Sequence, residues 1–261
     1  MRSLLQALGM FTLLPVGEVL EVDRPVARRL MLALPWAGLV CGLASGAAAG
    51  LVLACGAGSA LAAMAALATL AGITGAMHLD GVADTADGLA SRKAPEEALA
   101  LMKRSDIGPM GVATVVLVLL LQAAALVSLG AAAAGWLVAA AVCLPMVGRI
   151  GVVLATVRGI PGARPGGFGV LFTGVTSPAA AAVDALAALL ACAAAGFLAS
   201  GPALAVVLPV AATLSWLMAA LWQRHLLRRL GGLTGDTFGS LVEVGQTCFV
   251  LLAALAAGRL A

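Results

Sequence analysis

Residues 31–77 have the sequence MLALPWAGLVCGLASGAAAGLVLACGAGSALAAMAALATLAGITGAM, which contains no charged side chain. A helix needs about 20 predominantly apolar residues to cross a bilayer, so this stretch is long enough for two crossings. The small residues from Gly56 to Ser59 lie near its middle and favour a turn. The stretch therefore predicts a helical hairpin, with spans at 31–54 and 60–77.

The rest of the chain repeats this pattern. The whole chain is 62% hydrophobic and 10% charged, whereas an ordinary soluble domain is roughly 45–50% hydrophobic and about 25% charged. The small net charge of +3 and the 4% aromatic content exclude a disordered chain and a nucleic-acid-binding protein. We predict an all-α, polytopic integral membrane bundle of about seven transmembrane helices, one domain over 1–261. Its other spans are predicted at 110–128, 135–150, 179–199, 203–223 and 241–258.

The basic residues predict the orientation of the bundle. Every lysine and arginine except Arg259 falls before the first span or in a connection on the same side of the membrane. By the positive-inside rule that side is the cytoplasm, which also places the N-terminus inside. We therefore expect a bacterial inner-membrane protein with its site on the cytoplasmic face. The predicted cytoplasmic segments are 1–30, 78–108, 149–178 and 224–240.

The N-terminal segment 1–30 has an apolar start that can be mistaken for a signal peptide. It lacks an A-x-A-like cleavage site, so an interfacial or re-entrant helix is the favoured interpretation.

The most informative motif is HLDGVADTADG, residues 78–88. Asp80, Asp84 and Asp87 are spaced i, i+4 and i+7, so a helix would present the second and third at about 40° and −20° from the first, all on one narrow face. No basic residue near them offsets their repulsion, and a hard cation such as Mg²⁺ would. A solvated helix end is the alternative interpretation. His78 is either a ligand or base, or a structural hydrogen-bonding group.

Two further clusters contain basic residues. Lys103, Arg104, Ser105 and Asp106 precede the third span, where they either bind phosphate oxygens or form an ordinary basic flank. Arg149, Arg158 and Arg164 accompany a glycine-rich connection, which either cradles a bulky anion or is a plain inner loop.

A glycine-rich cluster precedes the last span. Its backbone allows close approach to an anion, and Asp236 and Glu243 share one face if the helix already includes Asp236. The alternative is that Asp236 is the N-cap of that helix. The residues of this cluster that we expect to contact a ligand are Arg228, Gly231, Gly232, Thr234 and Gly235.

Together these motifs resemble the cobalamin synthase (adenosylcobinamide-GDP ribazoletransferase) family. The resemblance rests on G-x-x-H-L-D-G-x-A-D-T-A-D-G from Gly75, M-K-x-S-x-I-G-x-x-G from Met102, P-x-x-G-R from Pro145 and R-x-x-G-G-x-T-G-D-x-x-G-x-x-x-E from Arg228. An opening F-T-x-L-P at Phe11 is also similar to the family. The second motif has its acid and base exchanged relative to many members.

The resemblance implies the last assembly step of cobalamin, in which adenosylcobinamide-GDP reacts with α-ribazole or its 5′-phosphate and GMP is released. Mg²⁺ is the implied cofactor. The implied metal ligands are Asp80, Asp84, Asp87, Asp236 and Glu243, and one carboxylate or His78 is the implied base. The implied substrate-binding residues are Lys103, Arg104, Ser105, Asp106, Arg149, Arg158, Arg228, Gly231, Gly232, Thr234 and Gly235.

Two other classes share some of these features. CDP-alcohol phosphotransferases also combine membrane helices, an Asp array and Mg²⁺, but their motif has an Ala-Arg pair after Asp-Gly, where this chain has Val82-Ala83-Asp84. A cation- or proton-coupled transporter would need acids near the bilayer midplane, where only Asp184 is expected. The many Ala and Gly residues allow helices to pack within one chain or between chains, so a homo-oligomer stays open.

Overall fold

A computed structural model describes residues 2–16, 21–104 and 106–259. This part of the chain forms helices and contains no strand, which confirms the predicted fold class. The helices are α1 (Arg2–Phe11), α2 (Arg24–Ala54), α3 (Ser59–Thr74), α4 (Met77–Ala90), α5 (Pro95–Leu101), α6 (Pro109–Ala132), α7 (Ala134–Ala155), α8 (Phe168–Phe172), α9 (Pro178–Ser200), α10 (Pro202–Leu230) and α11 (Gly235–Ala257).

Six of these helices, α2, α6, α7, α9, α10 and α11, are long and apolar enough to cross a membrane, and α3 with α4 makes a seventh candidate if counted as one span. Each predicted span except 60–77 falls on one of the six long helices. The span predicted at 60–77 covers α3 and continues through a turn into the first residue of α4, so the straight crossing expected there is wrong. Four helices extend beyond the apolar run: α2 begins at Arg24, α7 ends at Ala155, α10 ends at Leu230 and α11 begins at Gly235. The segments predicted as loops are therefore largely helical, because hydropathy marks only the apolar part of a helix.

The long helices alternate in direction, so their charged ends gather at one end of the bundle. We call this the basic end: α2, α6, α9 and α11 begin there, and α7 and α10 end there. The connections at this end contact one another. Arg24 donates to the Thr173 carbonyl at 3.2 Å, and the Leu233 amide donates to the Pro161 carbonyl at 3.0 Å.

The helix α7 lies at the centre of the bundle and is the most buried of the six long helices. Its closest neighbour is α2, which approaches it through Gly38, Gly42 and Gly46. Their i, i+4, i+8 spacing places the three glycines on one face of α2. A Cβ added at Gly42 would lie 1.9 Å from the Val142 carbonyl oxygen. Glycine therefore sets the distance between α2 and α7, as is common for helices packed in lipid.

The span containing α3 does not continue straight into α4. Gly75 and Ala76 have φ values of 58° and 56°, and the two helices meet at 87°. The left-handed conformation is unfavourable for alanine, so surrounding contacts must hold the turn. One contact comes from the segment after α1, where the Leu13 amide donates to the Ile73 carbonyl at 2.8 Å.

We expect Gly42→Ala to lower the free energy of unfolding by about 1–3 kcal/mol, because the added methyl overpacks the contact between α2 and α7. Thermal unfolding of the protein in detergent measures this effect. Gly50→Ala is the matched control, since its Cβ would lie 3.9 Å from the nearest atom. Equal melting temperatures for the two variants would contradict glycine-limited packing.

Candidate active site

The three aspartates of the HLDGVADTADG motif all lie on α4, as their spacing predicts. Asp80 is exposed, and Asp84 and Asp87 are half-buried. Because α4 turns away from α3 by 87°, it lies across the basic end of the bundle and is not a continuation of the span.

The start of α11 packs directly against α4. A Cβ on Gly81 would lie 2.6 Å from the Asp236 carbonyl oxygen, and a Cβ on Gly239 would lie 3.0 Å from the His78 carbonyl oxygen. Glycine on both helices therefore permits a backbone approach that brings Asp236 next to the α4 carboxylates.

Asp236 belongs to the first turn of α11. The N-cap of this helix is Thr234, whose hydroxyl accepts from the Thr237 amide at 3.2 Å, and the Thr237 hydroxyl in turn accepts from the Thr234 amide at 2.7 Å. The alternative of Asp236 as the N-cap is therefore wrong. Its carboxylate points into the site region, where its Oδ2 accepts from the Thr234 hydroxyl at 3.3 Å.

The carboxylates repel one another. The pKa of Asp84 is raised to about 6, first by burial and then by the charges of Asp80, Asp236 and Asp87. Among the residues that the structure describes, no three acidic, His or Cys side chains are grouped closely enough to hold a metal ion by themselves. A cation at this position would need further ligands, and substrate phosphates commonly supply them to Mg²⁺.

Asp87 already has two hydrogen-bond partners at the start of α6. Its oxygens accept from the Gly108 amide at 2.6 Å and from the Gly111 amide at 2.9 Å. These amides are among those that an α-helix leaves unpaired at its N-terminus, so Asp87 caps α6 from a different segment of the chain.

Glu243 lies two turns further along α11 than Asp236, in a buried polar cluster. It accepts from Gln122 at 2.8 Å and lines a small internal cavity with His78, Arg149 and Gln246. Arg149 is 1% exposed, and it donates to the Pro145 carbonyl within its own helix at 3.0 Å. The structure thus groups these residues with His78 in the interior, one layer below Asp236.

Two cavities that share lining residues open at the basic end. The first, which we call the apolar cavity, has a volume of about 280 Å³. The second, which we call the basic cavity, has a volume of about 240 Å³ and is lined by Lys103, Arg164 and the glycine-rich loop before α8. Phe168, Gly235 and Asp236 line both cavities. The aspartate at the start of α11 therefore stands between an apolar and a basic compartment.

The other predicted site residues take several positions. Lys103, Thr234 and Gly235 line the basic cavity, as a substrate-binding role requires. Arg104 and Asp106 form an exposed ion pair at 3.0 Å. Arg158 and Arg228 are exposed and line neither cavity. Gly231 ends α10 in a left-handed conformation, and Gly232 packs against Gly162. Ser105 lies outside the described residues.

The structure places at the site residues to which the sequence alone assigned no definite role. Arg164 lines the basic cavity, lies close to the Asp236 carboxylate, and donates to the Leu99 carbonyl at 2.6 Å. Phe11 and Phe168 line the apolar cavity. The available signals were the A-R-P-G-G composition around Arg164 and the F-T-x-L-P opening at Phe11.

These features define a class: a multi-pass helical membrane protein whose carboxylates and cavities meet at one charged end. The profile of the cobalamin-5-phosphate synthase family matches residues 3–254, and the chain belongs to this family. It is therefore an enzyme of cobalamin biosynthesis.

Individual relatives agree with this assignment. An adenosylcobinamide-GDP ribazoletransferase of Frankia casuarinae is 34% identical over 95% of this chain and 93% of its own length. A relative of the same name from Bradyrhizobium diazoefficiens is 36% identical over 95% and 91%, and one from Pseudomonas putida is 38% identical over 87% and 88%. No solved structure gives a significant match.

We expect Asp87→Ala to lower the free energy of unfolding by about 1–3 kcal/mol, because it leaves two amides at the start of α6 without their acceptor. Thermal unfolding in detergent is the measurement. Asp84→Ala is the comparison, since it removes a repelled carboxylate that accepts no hydrogen bond from the described residues. A loss of stability as large in Asp84→Ala as in Asp87→Ala would contradict the capping role.

Proposed function

We propose that this enzyme transfers the adenosylcobinamide phosphate of adenosylcobinamide-GDP to the hydroxyl of α-ribazole or α-ribazole 5′-phosphate and releases GMP. The names of its relatives support this reaction. The main structural support is the position of Asp236 between a basic and an apolar cavity, because the reaction joins a polyanionic donor to an acceptor that is partly apolar.

The reaction replaces one bond to phosphorus by another. The acceptor oxygen attacks the phosphorus that bears the cobinamide, the bond to the bridging oxygen of the pyrophosphate breaks, and that oxygen leaves as part of GMP. The hydroxyl proton passes to a base on the enzyme. Such a transfer needs positive charge around the phosphates, an oriented hydroxyl and a nearby proton acceptor.

The basic cavity is suited to the phosphates. Lys103 supplies a point charge and Arg164 a planar fork, and both kinds of group bind phosphate oxygens in proteins. Gly166, Gly167 and Gly169 line the same cavity, so a phosphate can approach the backbone closely there.

The carboxylates of the site are suited to bind Mg²⁺. Asp80, Asp84 and Asp236 are mutually repelling carboxylates, of which Asp80 lines the apolar cavity and Asp236 lines both cavities. Mg²⁺ prefers one or two carboxylates together with substrate phosphates. One or two of these carboxylates, Asp84 among them, would hold the ion together with substrate phosphates, and the bound ion would neutralise charge on the pyrophosphate. Asp87 and Glu243, which were also predicted as ligands, have other hydrogen-bond partners here.

The candidates for the proton acceptor are the titratable side chains that line the apolar cavity. Asp80 and His78 both line it, and both are on the first turn of α4. Either one lies on the side from which the acceptor would arrive.

The proposed location is the bacterial inner membrane, with both cavities open to the cytoplasm. The support is the concentration of lysine and arginine at this end of the chain's hairpins. Membership of the cobalamin-5-phosphate synthase family disfavours the two other classes considered, CDP-alcohol phosphotransferases and transporters.

We expect Asp84→Asn to abolish Mg²⁺-dependent GMP release from adenosylcobinamide-GDP and α-ribazole, because it removes a metal-binding charge. The variant should keep its thermal stability, since the substitution also relieves repulsion. Glu97→Gln on exposed α5 is a charge-matched control that should retain full activity. Full activity in Asp84→Asn would refute the metal assignment.

The raised pKa of Asp84, about 6, predicts a pH-dependent requirement for Mg²⁺. Only the ionised carboxylate binds the metal, so protons compete as the pH falls through this value. The Mg²⁺ concentration for half-maximal activity should rise from pH 8 to pH 5.5, by up to about tenfold per pH unit below the pKa. Saturating Mg²⁺ should restore the rate, and a constant requirement would contradict the prediction.

We expect Arg164→Gln to raise the KM for adenosylcobinamide-GDP about tenfold or more, because a charge-assisted contact to phosphate is lost. The KM for α-ribazole should change little. Lys93→Gln removes a positive charge from an exposed position outside both cavities and serves as the control. Equal effects of the two substitutions would show that only overall charge matters.

A further inference from the structure

The apolar cavity has aromatic and aliphatic walls, and its polar side chains lie along one edge. Rings from three separate helices line it, Phe11 of α1, Phe168 of α8 and Phe238 of α11. The rings of Phe11 and Phe168 meet edge to face, with centroids 6.1 Å apart. Aliphatic side chains of α2, α7 and α11 complete these walls. They are Met31, Leu34, Val152 and Val242.

The polar side chains of this cavity are His78, Asp80 and Asp236. They come from the first turns of α4 and α11, which cross in direct contact at Gly81 and the Asp236 carbonyl. The polar groups are therefore gathered at one edge, and this edge adjoins the basic cavity through Asp236.

This distribution selects a ligand that is flat and apolar over most of its area and carries hydroxyl groups at one end. Aromatic walls contact a planar ring system favourably, and carboxylates accept hydrogen bonds from sugar hydroxyls. A guanine base would bury polar edges without enough partners.

We propose that the apolar cavity binds the aromatic base of the acceptor nucleoside, with its ribose at Asp80 and Asp236. This inference rests on the proposed function, and it names the compartment that holds the acceptor. In this position the ribose hydroxyls lie at the edge shared with the basic cavity, which holds the phosphates of the donor. The N-terminal helix α1 becomes part of the acceptor site, because Phe11 closes one wall.

The test replaces rings by aliphatic side chains of similar size, which the fold should tolerate. We expect Phe11→Leu and Phe238→Leu each to raise the KM for α-ribazole about three- to tenfold, because ring stacking is lost. The KM for adenosylcobinamide-GDP should stay within about twofold of the wild-type value. Phe197→Leu, on an exposed part of α9, is the matched control and should leave both constants unchanged.

A binding measurement separates this inference from the reaction. Equilibrium dialysis of α-ribazole alone against the full-length protein in detergent should show weaker binding to Phe11→Leu and Phe238→Leu than to wild type and Phe197→Leu. Unchanged α-ribazole affinity and KM in both ring variants would overturn the cavity assignment while leaving the reaction intact. Ring-dependent binding of α-ribazole without GMP release by wild type would overturn the proposed function and support the cavity.

Discussion

The arrangement of this protein depends on the left-handed turn at Gly75 and Ala76. A span that continued straight beyond Thr74 would carry three carboxylates along the bundle axis. The 87° bend lays α4 across the basic end instead, where Asp80 is exposed and lines the apolar cavity. An alanine in this conformation is unfavourable, and the contacts that offset it include a hydrogen bond from Leu13. The N-terminal segment thus supports the turn that orients the site.

Glycine determines how closely the important helices approach. Between α2 and α7 the close contact is at Gly42, and between α4 and α11 it is at Gly81 and Gly239. Lipid offers little hydrophobic drive for helix association, so van der Waals contact between backbones contributes much of it. At the crossing of α4 and α11 the same close contact has a chemical consequence, because it places Asp236 beside carboxylates more than a hundred residues away in the chain.

The site is therefore a junction between two compartments. On one side are Lys103, Arg164 and a glycine-rich loop, and on the other side are aromatic rings. Asp236 lines both. A separate polar layer around Arg149 and Glu243 lies beneath the junction and contacts it through His78, which lines its cavity as well as the apolar one.

The sequence by itself determined the spans, because a charged side chain is costly in hydrocarbon and uncharged runs of the required length are plain to see. It also determined that Asp80, Asp84 and Asp87 share a helix face, since this follows from 100° per residue. Only the tertiary structure decided their partners. Periodicity alone placed Glu243 on the face of Asp236, yet seven residues along a helix are about 10 Å, and that rise moves Glu243 into another layer.

The predicted site residues occupy different places in the structure for the same reason. Asp87 caps α6 because α4 passes close to the start of that helix. Arg164 reaches the site through a glycine-rich connection whose composition alone leaves open whether it cradles an anion or is a plain loop. Hydropathy and helical period describe a segment relative to the membrane and to its own axis. Neither hydropathy nor helical period predicts how far apart two segments lie. That distance depends on the close packing of particular side chains and glycines in the folded protein.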